Sequence, residues 1–203
     1  MTENDKLTEE KIFESATVVF INKGMDGTRM KDIADHAGIN KALLHYYFRT
    51  KERLFNAVFE KIAGTMFRKF APVFDKDLSL DDKIRFFFRE HITFLQQNPG
   101  LPGFFINEIN RNPERIKKFL SKIDIKSLWS MLCAQHGEEL KKYNITEETL
   151  PQIMVSIASM SVFPFAARSV LEGLFGKMGI DFTQFIEERK TFAADFILKA
   201  LKE

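Results

Sequence analysis

Apolar residues recur every three to four positions along the chain, and no stretch alternates in the manner of a strand. Ile12, Phe13, Ala16, Val19 and Phe20 mark one face of a first helix. It opens near Thr8, with Glu9 and Glu10 in its first turn, where carboxylates meet the positive end of the helix dipole. Gly24 ends it as a C′ glycine. A second helix follows Thr28, carries Ile33, Ala34 and Ala37, and stops at Gly38. A third follows Asn40 with Leu43, Leu44 and Tyr47. Thr50 caps a fourth, whose stripe is Leu54, Phe55, Val58, Phe59, Ile62 and Met66.

Beyond residue 70 the helical period continues. Ser79-Leu80-Asp81-Asp82 has the form of a capping box and opens a helix that runs to Asn98-Pro99-Gly100. A short helix lies around Phe104 to Ile109 and ends at Asn112. Asn112-Pro113-Glu114 then signals a new start, and the spacing of Ile116, Phe119, Leu120, Ile123, Leu128, Trp129 and Leu132 predicts one helix towards Gly137. The next helix is expected from Thr146 to Leu174, kinked at Pro164. Asp181 to Gln184 opens a last one, with Phe185, Ile186, Ala193, Phe196, Ile197, Ala200 and Leu201 on one face. The fold class is therefore all-α, with about nine helices by this reading.

Composition narrows the class. Hydrophobic residues make up 45% and charged residues 29%, which excludes disordered and collagen-like chains. Phe occurs 22 times against three Tyr and one Trp. The single cysteine, Cys133, allows no internal disulfide, and the polar N-terminus MTENDKLTEE has no apolar signal region. A cytoplasmic, nucleoid-associated location is expected on these grounds together with the DNA reading below. The uncharged run from Thr149 to Ala167 approaches the length of a membrane span, but two prolines and several polar residues interrupt it. A buried core helix or a subunit interface is the expected role, and no membrane partner is expected.

Residues 28–53, TRMKDIADHAGINKALLHYYFRTKER, read as two short helices joined by a tight turn. Gly38 suits a turn position with positive φ, and Ala34 is small where the following helix must cross. This is the spacing of a helix-turn-helix, whose second helix lies in the DNA major groove. Asn40, Lys41, His45, Tyr46, Tyr47, Arg49, Lys51 and Arg53 gather there, and Glu52 is the only acid from 36 to 59. Residues 1–70 hold 12 basic and 10 acidic side chains, and residues 71–203 hold 18 of each, so the whole net charge of +2 lies in the N-terminal third. A basic patch of this kind supplies affinity for phosphates. A helical corner with a solvated basic rim and no DNA role stays open at this point.

Thr28, Asp32-Ile33-Ala34, Ala37-Gly38-Ile39, Lys41, Leu44, Tyr47-Phe48, Lys51-Glu52 and Leu54-Phe55 together resemble the DNA-binding domain of the TetR family of one-component repressors. The resemblance covers about a third of the chain, Thr8 to Met66. One position departs from it: the family commonly has Tyr-x-Tyr-Phe where this chain has His45-Tyr46-Tyr47-Phe48, which makes His45 a source of pH dependence.

The resemblance implies a DNA-binding domain over residues 6–66, with its helix-turn-helix over about 29–48, and an effector-binding and dimerisation domain over 67–203. It further implies that Thr28 caps the second helix and bonds a phosphate. Lys31 and Lys41 meet phosphate or a base edge, with Asn40 beside them. Ala42 and Leu43 offer apolar contact. His45, Tyr46 and Tyr47 hold the backbone, and Lys51 binds a phosphate at the start of the fourth helix.

The partners implied are double-stranded operator DNA, a second copy of the chain and a small apolar or aromatic effector that releases the DNA. Candidate pocket residues are Phe87, His91, Phe104, Phe105, Glu108, Trp129, Phe165 and Arg168. No catalytic signature, metal-ligand spacing or cofactor motif occurs, so neither an enzyme nor a cofactor is expected. Gly173 to Gly179 is a helix end rather than a phosphate loop, because the Ser/Thr after Lys is missing. The rival readings are an all-α small-molecule-binding enzyme, or a protein-interaction regulator, with an incidental helix-turn-helix.

Overall fold

The computed structural model describes residues 3–70, 78–114, 117, 121 and 124–202. Every regular element among them is an α-helix. They form two compact units, one of Met1–Arg68 with Gly103–Asn112 and one of Lys69–Pro102 with Pro113–Glu203. The stretch Gly103–Asn112, which lies within the 67–203 domain that the resemblance implies, packs with the first unit.

The first unit holds α1 (Glu3–Gly27), α2 (Met30–Ala37), α3 (Lys41–Tyr47) and most of α4 (Lys51–Phe70) and of α6 (Leu101–Arg111). Helix α1 breaks at Gly24, whose φ of 67° selects glycine although a Cβ there would meet nothing within 4 Å. Ile12, Ala16, Phe20, Ile33, Ala37, Leu44, Leu54 and Phe55 are fully buried and join α1 to α4 in one core. Phe20 meets Phe55 edge-on at 4.9 Å. Phe55 in turn meets Phe104 of α6 at 5.6 Å, and Phe59 meets Phe105 at 5.2 Å. Full burial of one such side chain contributes roughly 1.5–3 kcal/mol, so these rings tie α6 to the N-terminal helices.

The second unit holds α5 (Leu80–Gln97), α7 (Ile125–Lys142), α8 (Leu150–Ala166), α9 (Arg168–Lys177) and α10 (Phe182–Lys202). Helix α5 packs chiefly on α10 and next on α8. Its buried face, with Leu80, Ile84, Phe88, Ile92 and Leu95, follows the helical period. Ser79 caps it, accepting from the Asp82 amide at 3.1 Å.

Two sequence expectations change here. The helix expected from Asn112 to Gly137 does not run through. Asp124 is an N-cap, accepting from the Ser127 amide at 3.0 Å, and α7 begins at Ile125. Ile116, Phe119, Leu120 and Ile123 lie outside the described residues.

The helix expected from Thr146 to Leu174 is two helices, broken at Ala167 and bent by 75°. Pro164 sits inside α8, three residues before the break. A proline removes the donor to the carbonyl four residues earlier. That carbonyl, of Met160, accepts instead from Nε of Arg189 on α10 at 3.1 Å. The helix therefore continues past its proline. Among the described residues no single helix is long and apolar enough to cross a membrane. Met154, Val155 and Phe163 of α8, Val170 and Leu174 of α9, and Phe192 and Phe196 of α10 stay exposed in one copy of the chain.

Candidate nucleic-acid interface

The turn between α2 and α3 is built by backbone hydrogen bonds. Gly38 takes the left-handed conformation, φ 62° and ψ 36°. Its amide donates to Asp35 O at 3.2 Å, and that of Ile39 donates to Ala34 O at 3.0 Å. This pair is a Schellman motif, with Ile39 and Ala34 as its apolar partners. Asn40 then caps α3: its Oδ1 accepts from the Leu43 amide at 2.7 Å. Leu44 is fully buried and anchors α3 on the core. Phe48 meets Phe13 of α1 edge-on at 5.4 Å and fixes the helix's far end.

This footing leaves one face of α3 in solvent. Lys41, Ala42 and Tyr46 are exposed, Tyr46 by 80%, and Leu43 and His45 are half-buried beside them. Asn40 and, on α2, Lys31 are exposed as well. Nδ1 of His45 lies 3.3 Å from the Arg49 carbonyl, which makes Nδ1 the protonated nitrogen because a carbonyl only accepts.

The remaining DNA candidates are engaged within the unit. Thr28 is not the cap of α2. It is buried to 1% exposure, and its hydroxyl donates to Gly24 O at 2.6 Å, across the break in α1. The N-cap is Arg29, whose amide donates to Oδ2 of Asp32 at 3.1 Å. That amide, and after it Lys23 at 3.1 Å, holds the Asp32 carboxyl below the usual carboxylate range. The sequence carried this signal: an acid three residues after position 29 marks it as the cap. Arg29 is exposed at the start of α2 and is the basic residue the motif spacing passed over. Lys51 directs its ammonium at two carbonyls, Met25 O at 2.7 Å and Thr28 O at 3.0 Å. It closes the turn between α1 and α2. The Tyr47 hydroxyl donates to Oδ1 of Asp5 at 3.1 Å. Desolvation first, and then the Asp5 carboxylate, raises the phenol's pKa.

The effector candidates divide between the units. Phe104, Phe105 and Glu108 belong to the first. Phe104 and Glu108 line a cleft of about 190 Å³ there, together with Gly24, Asp26, Asn107 and Arg111. Arg111 pairs with Asp26 at 3.4 Å across that wall, and buried Glu108 accepts from Asn112 at 3.0 Å.

Phe87, His91, Trp129, Phe165 and Arg168 belong to the second unit. There Phe87 and His91 meet at 5.0 Å. Nδ1 of His91 lies 2.9 Å from Oγ of Ser161, a residue that sequence spacing gave no reason to single out. The Ser161 hydroxyl is 3.0 Å from the Ile157 and Ala158 carbonyls, so its proton is committed and it accepts from His91. Burial lowers the His91 pKa to about 4. Phe165 is buried one turn further along α8. Trp129 is half-buried on α7. Arg168 is exposed, bonded to Glu172 at 2.8 Å and lying over the Phe182 ring at 5.3 Å. Among the described residues no group of three or more His, Cys, Asp or Glu is placed to hold a metal ion.

A capped helix-turn-helix with a solvent-facing second helix has the geometry of a DNA-binding domain. Comparison with known proteins agrees. The pattern of the bacterial regulatory proteins of the tetR family matches residues 12–58. The chain is 24% identical over 163 residues to the HTH-type transcriptional regulator YttP of Bacillus subtilis, covering 78% of this chain and 77% of that one. It is 30% identical over 119 residues to IcaR of Staphylococcus epidermidis, the negative transcriptional regulator of the biofilm operon icaADBC, covering 55% and 64%. The crystal structure of the regulator FadR from Bacillus subtilis, in complex with stearoyl-CoA, shares the fold with a TM-score of 0.63 and 15% identity, covering 92% and 97%. Residues 12–58 are thus a DNA-binding domain of the tetR type, and the chain is a DNA-binding transcriptional regulator.

Proposed function

We propose that the protein is a homodimeric repressor that reads a palindromic operator and leaves it when an apolar or aromatic effector binds. The observation that carries this reading is the solvent-facing side of α3, where Lys41, Ala42 and Tyr46 stand clear of a helix locked from beneath by Leu44. In this reading Lys31, Lys41, His45 and Tyr46 meet phosphates or base edges, and Ala42 and Leu43 meet a thymine methyl. Asn40 sets the helix start, and Thr28 and Lys51 act from below as positioning residues. The pairing surface is the exposed apolar set on α8, α9 and α10, with Phe192 and Phe196 stacked at 6.1 Å. Repression is favoured by the likeness to IcaR, a negative regulator. An apolar effector is favoured by the Phe87 ring against His91 on α5 and by the acyl chain of the stearoyl-CoA held by FadR. The protein would act beside DNA inside the cell, without catalysis of its own.

Gel shift against the DNA flanking its own gene tests the reading. Binding that weakens steeply with salt and is lost in Lys41→Ala with Tyr46→Ala is expected. Binding that both variants retain would remove α3 from the interface.

A further inference from the structure

The hydroxyl of Tyr47, at the end of α3, is held by the first turns of α1. It donates to Asp5 Oδ1 at 3.1 Å, with the Thr8 side chain as a second neighbour. Tyr47 is half-buried and Asp5 is half-buried beside it, whereas Tyr46, the adjacent residue, is 80% exposed. A phenol has one proton to donate. While Asp5 holds it, Tyr47 has none for a phosphate. The carboxylate is also a fixed negative charge at the edge of a surface that must accept a polyanion.

We propose that Asp5 is a built-in competitor of the DNA backbone, an affinity-setting residue that phosphate must displace from Tyr47. The inference rests on the α3 interface proposed above and adds Tyr47 to it as a phosphate contact. Docking then includes a hand-over: the phenol leaves the Asp5 carboxylate and donates to a phosphate oxygen, and the carboxylate turns to water. The competitor lowers affinity for all DNA alike, because neither group touches a base, and so it limits binding to sites where the other contacts are good. It lies 42 residues from its partner in sequence, in an N-terminal stretch that otherwise reads as a solvated acidic lead-in.

The test uses the full chain and a short fluorescent duplex of mixed sequence at low salt, where phosphate contacts supply the affinity. Asp5→Ala is expected to tighten binding about fivefold, the effect of removing one charge a few ångströms from a phosphate in water. Tyr47→Phe is expected to change affinity less than twofold in the parent and to weaken it about fivefold in the Asp5→Ala background, since only there is the phenol unopposed. Asp5→Asn, which keeps an acceptor without the charge, and the melting temperature of each variant separate charge from loss of fold. Unchanged or weakened binding by folded Asp5→Ala overturns the proposal. Lys41→Ala with Tyr46→Ala tests the parent reading separately. If that pair weakens binding while Asp5→Ala does not tighten it, the competitor fails and the interface stands. If the pair changes nothing, the interface itself fails.

Discussion

Arg189 substitutes for an amide that Pro164 cannot provide, and this makes a coupled prediction. In Arg189→Met the side-chain stem is kept and the guanidinium is lost, so the Met160 carbonyl has no donor. A hydrogen bond from a charged group contributes about 1.5–3 kcal/mol, and solvent screening of a half-buried one reduces this to about 1–2 kcal/mol. For a chain of this length, each kcal/mol moves the melting temperature by roughly 2–4 °C, so a fall of about 2–8 °C is expected. Pro164→Ala restores the amide, and α8 can then bond its own Met160 carbonyl. In that background Arg189→Met is expected to cost about 1 kcal/mol less. Arg189 also lies over the Phe185 and Phe192 rings at 5.8 and 6.0 Å, but those contacts are common to both backgrounds and cancel in the cycle. Calorimetry at one fixed protein concentration is the assay, because self-association makes melting concentration-dependent. Equal losses in the two backgrounds would refute the link between the arginine and the proline.

Other variants probe other contacts. Lys51→Ala uncovers the Met25 and Thr28 carbonyls and should lower stability by about 1–3 kcal/mol; the salt slope of DNA binding should stay the same, and a slope reduced by about one would make Lys51 a phosphate contact. His91 is held neutral by burial, with its pKa lowered from 6.5 to about 4. The unfolded chain therefore takes up that proton first as pH falls. The stability His91 confers is complete above about pH 6.5 and is lost as pH drops towards 4, by on the order of 3 kcal/mol. Denaturant midpoints of His91→Gln should be flatter across that interval, and an unaltered slope would contradict the burial argument. Phe192→Glu with Phe196→Glu should give a monomeric mass by light scattering where the parent is dimeric; a dimer that survives would place the interface elsewhere.

What could be read from the sequence was local chemistry. Asn40, Thr50, Ser79 and Asp181 each cap a helix with a side chain three residues from the amide it serves. Gly24 and Gly38 mark breaks because their positive φ excludes most side chains. Thr28 misled because it is a good cap residue by type, although Asp32 already pointed to Arg29. The rest depended on partners far along the chain. Nothing near Pro164 announces Arg189, 29 residues beyond the carbonyl it serves, so the bend was expected at the proline and lies at Ala167. Lys51 reads as a free cation until Met25 and Thr28, 26 and 23 residues earlier, are brought beneath it. The effector candidates were drawn from helices with a shared apolar period, but period alone does not say which unit a helix joins. Phe104, Phe105 and Glu108 went to the first unit for that reason.

Selection of binding sites from random duplex DNA by the full chain tests the central claim most directly. Enrichment of two inverted half-sites about one helical turn apart is expected, as a dimer of α3 helices requires. Affinity for the enriched duplex should fall steeply with salt and be lost in Lys41→Ala with Tyr46→Ala. No enrichment, or an enriched site that those substitutions leave bound, would contradict it.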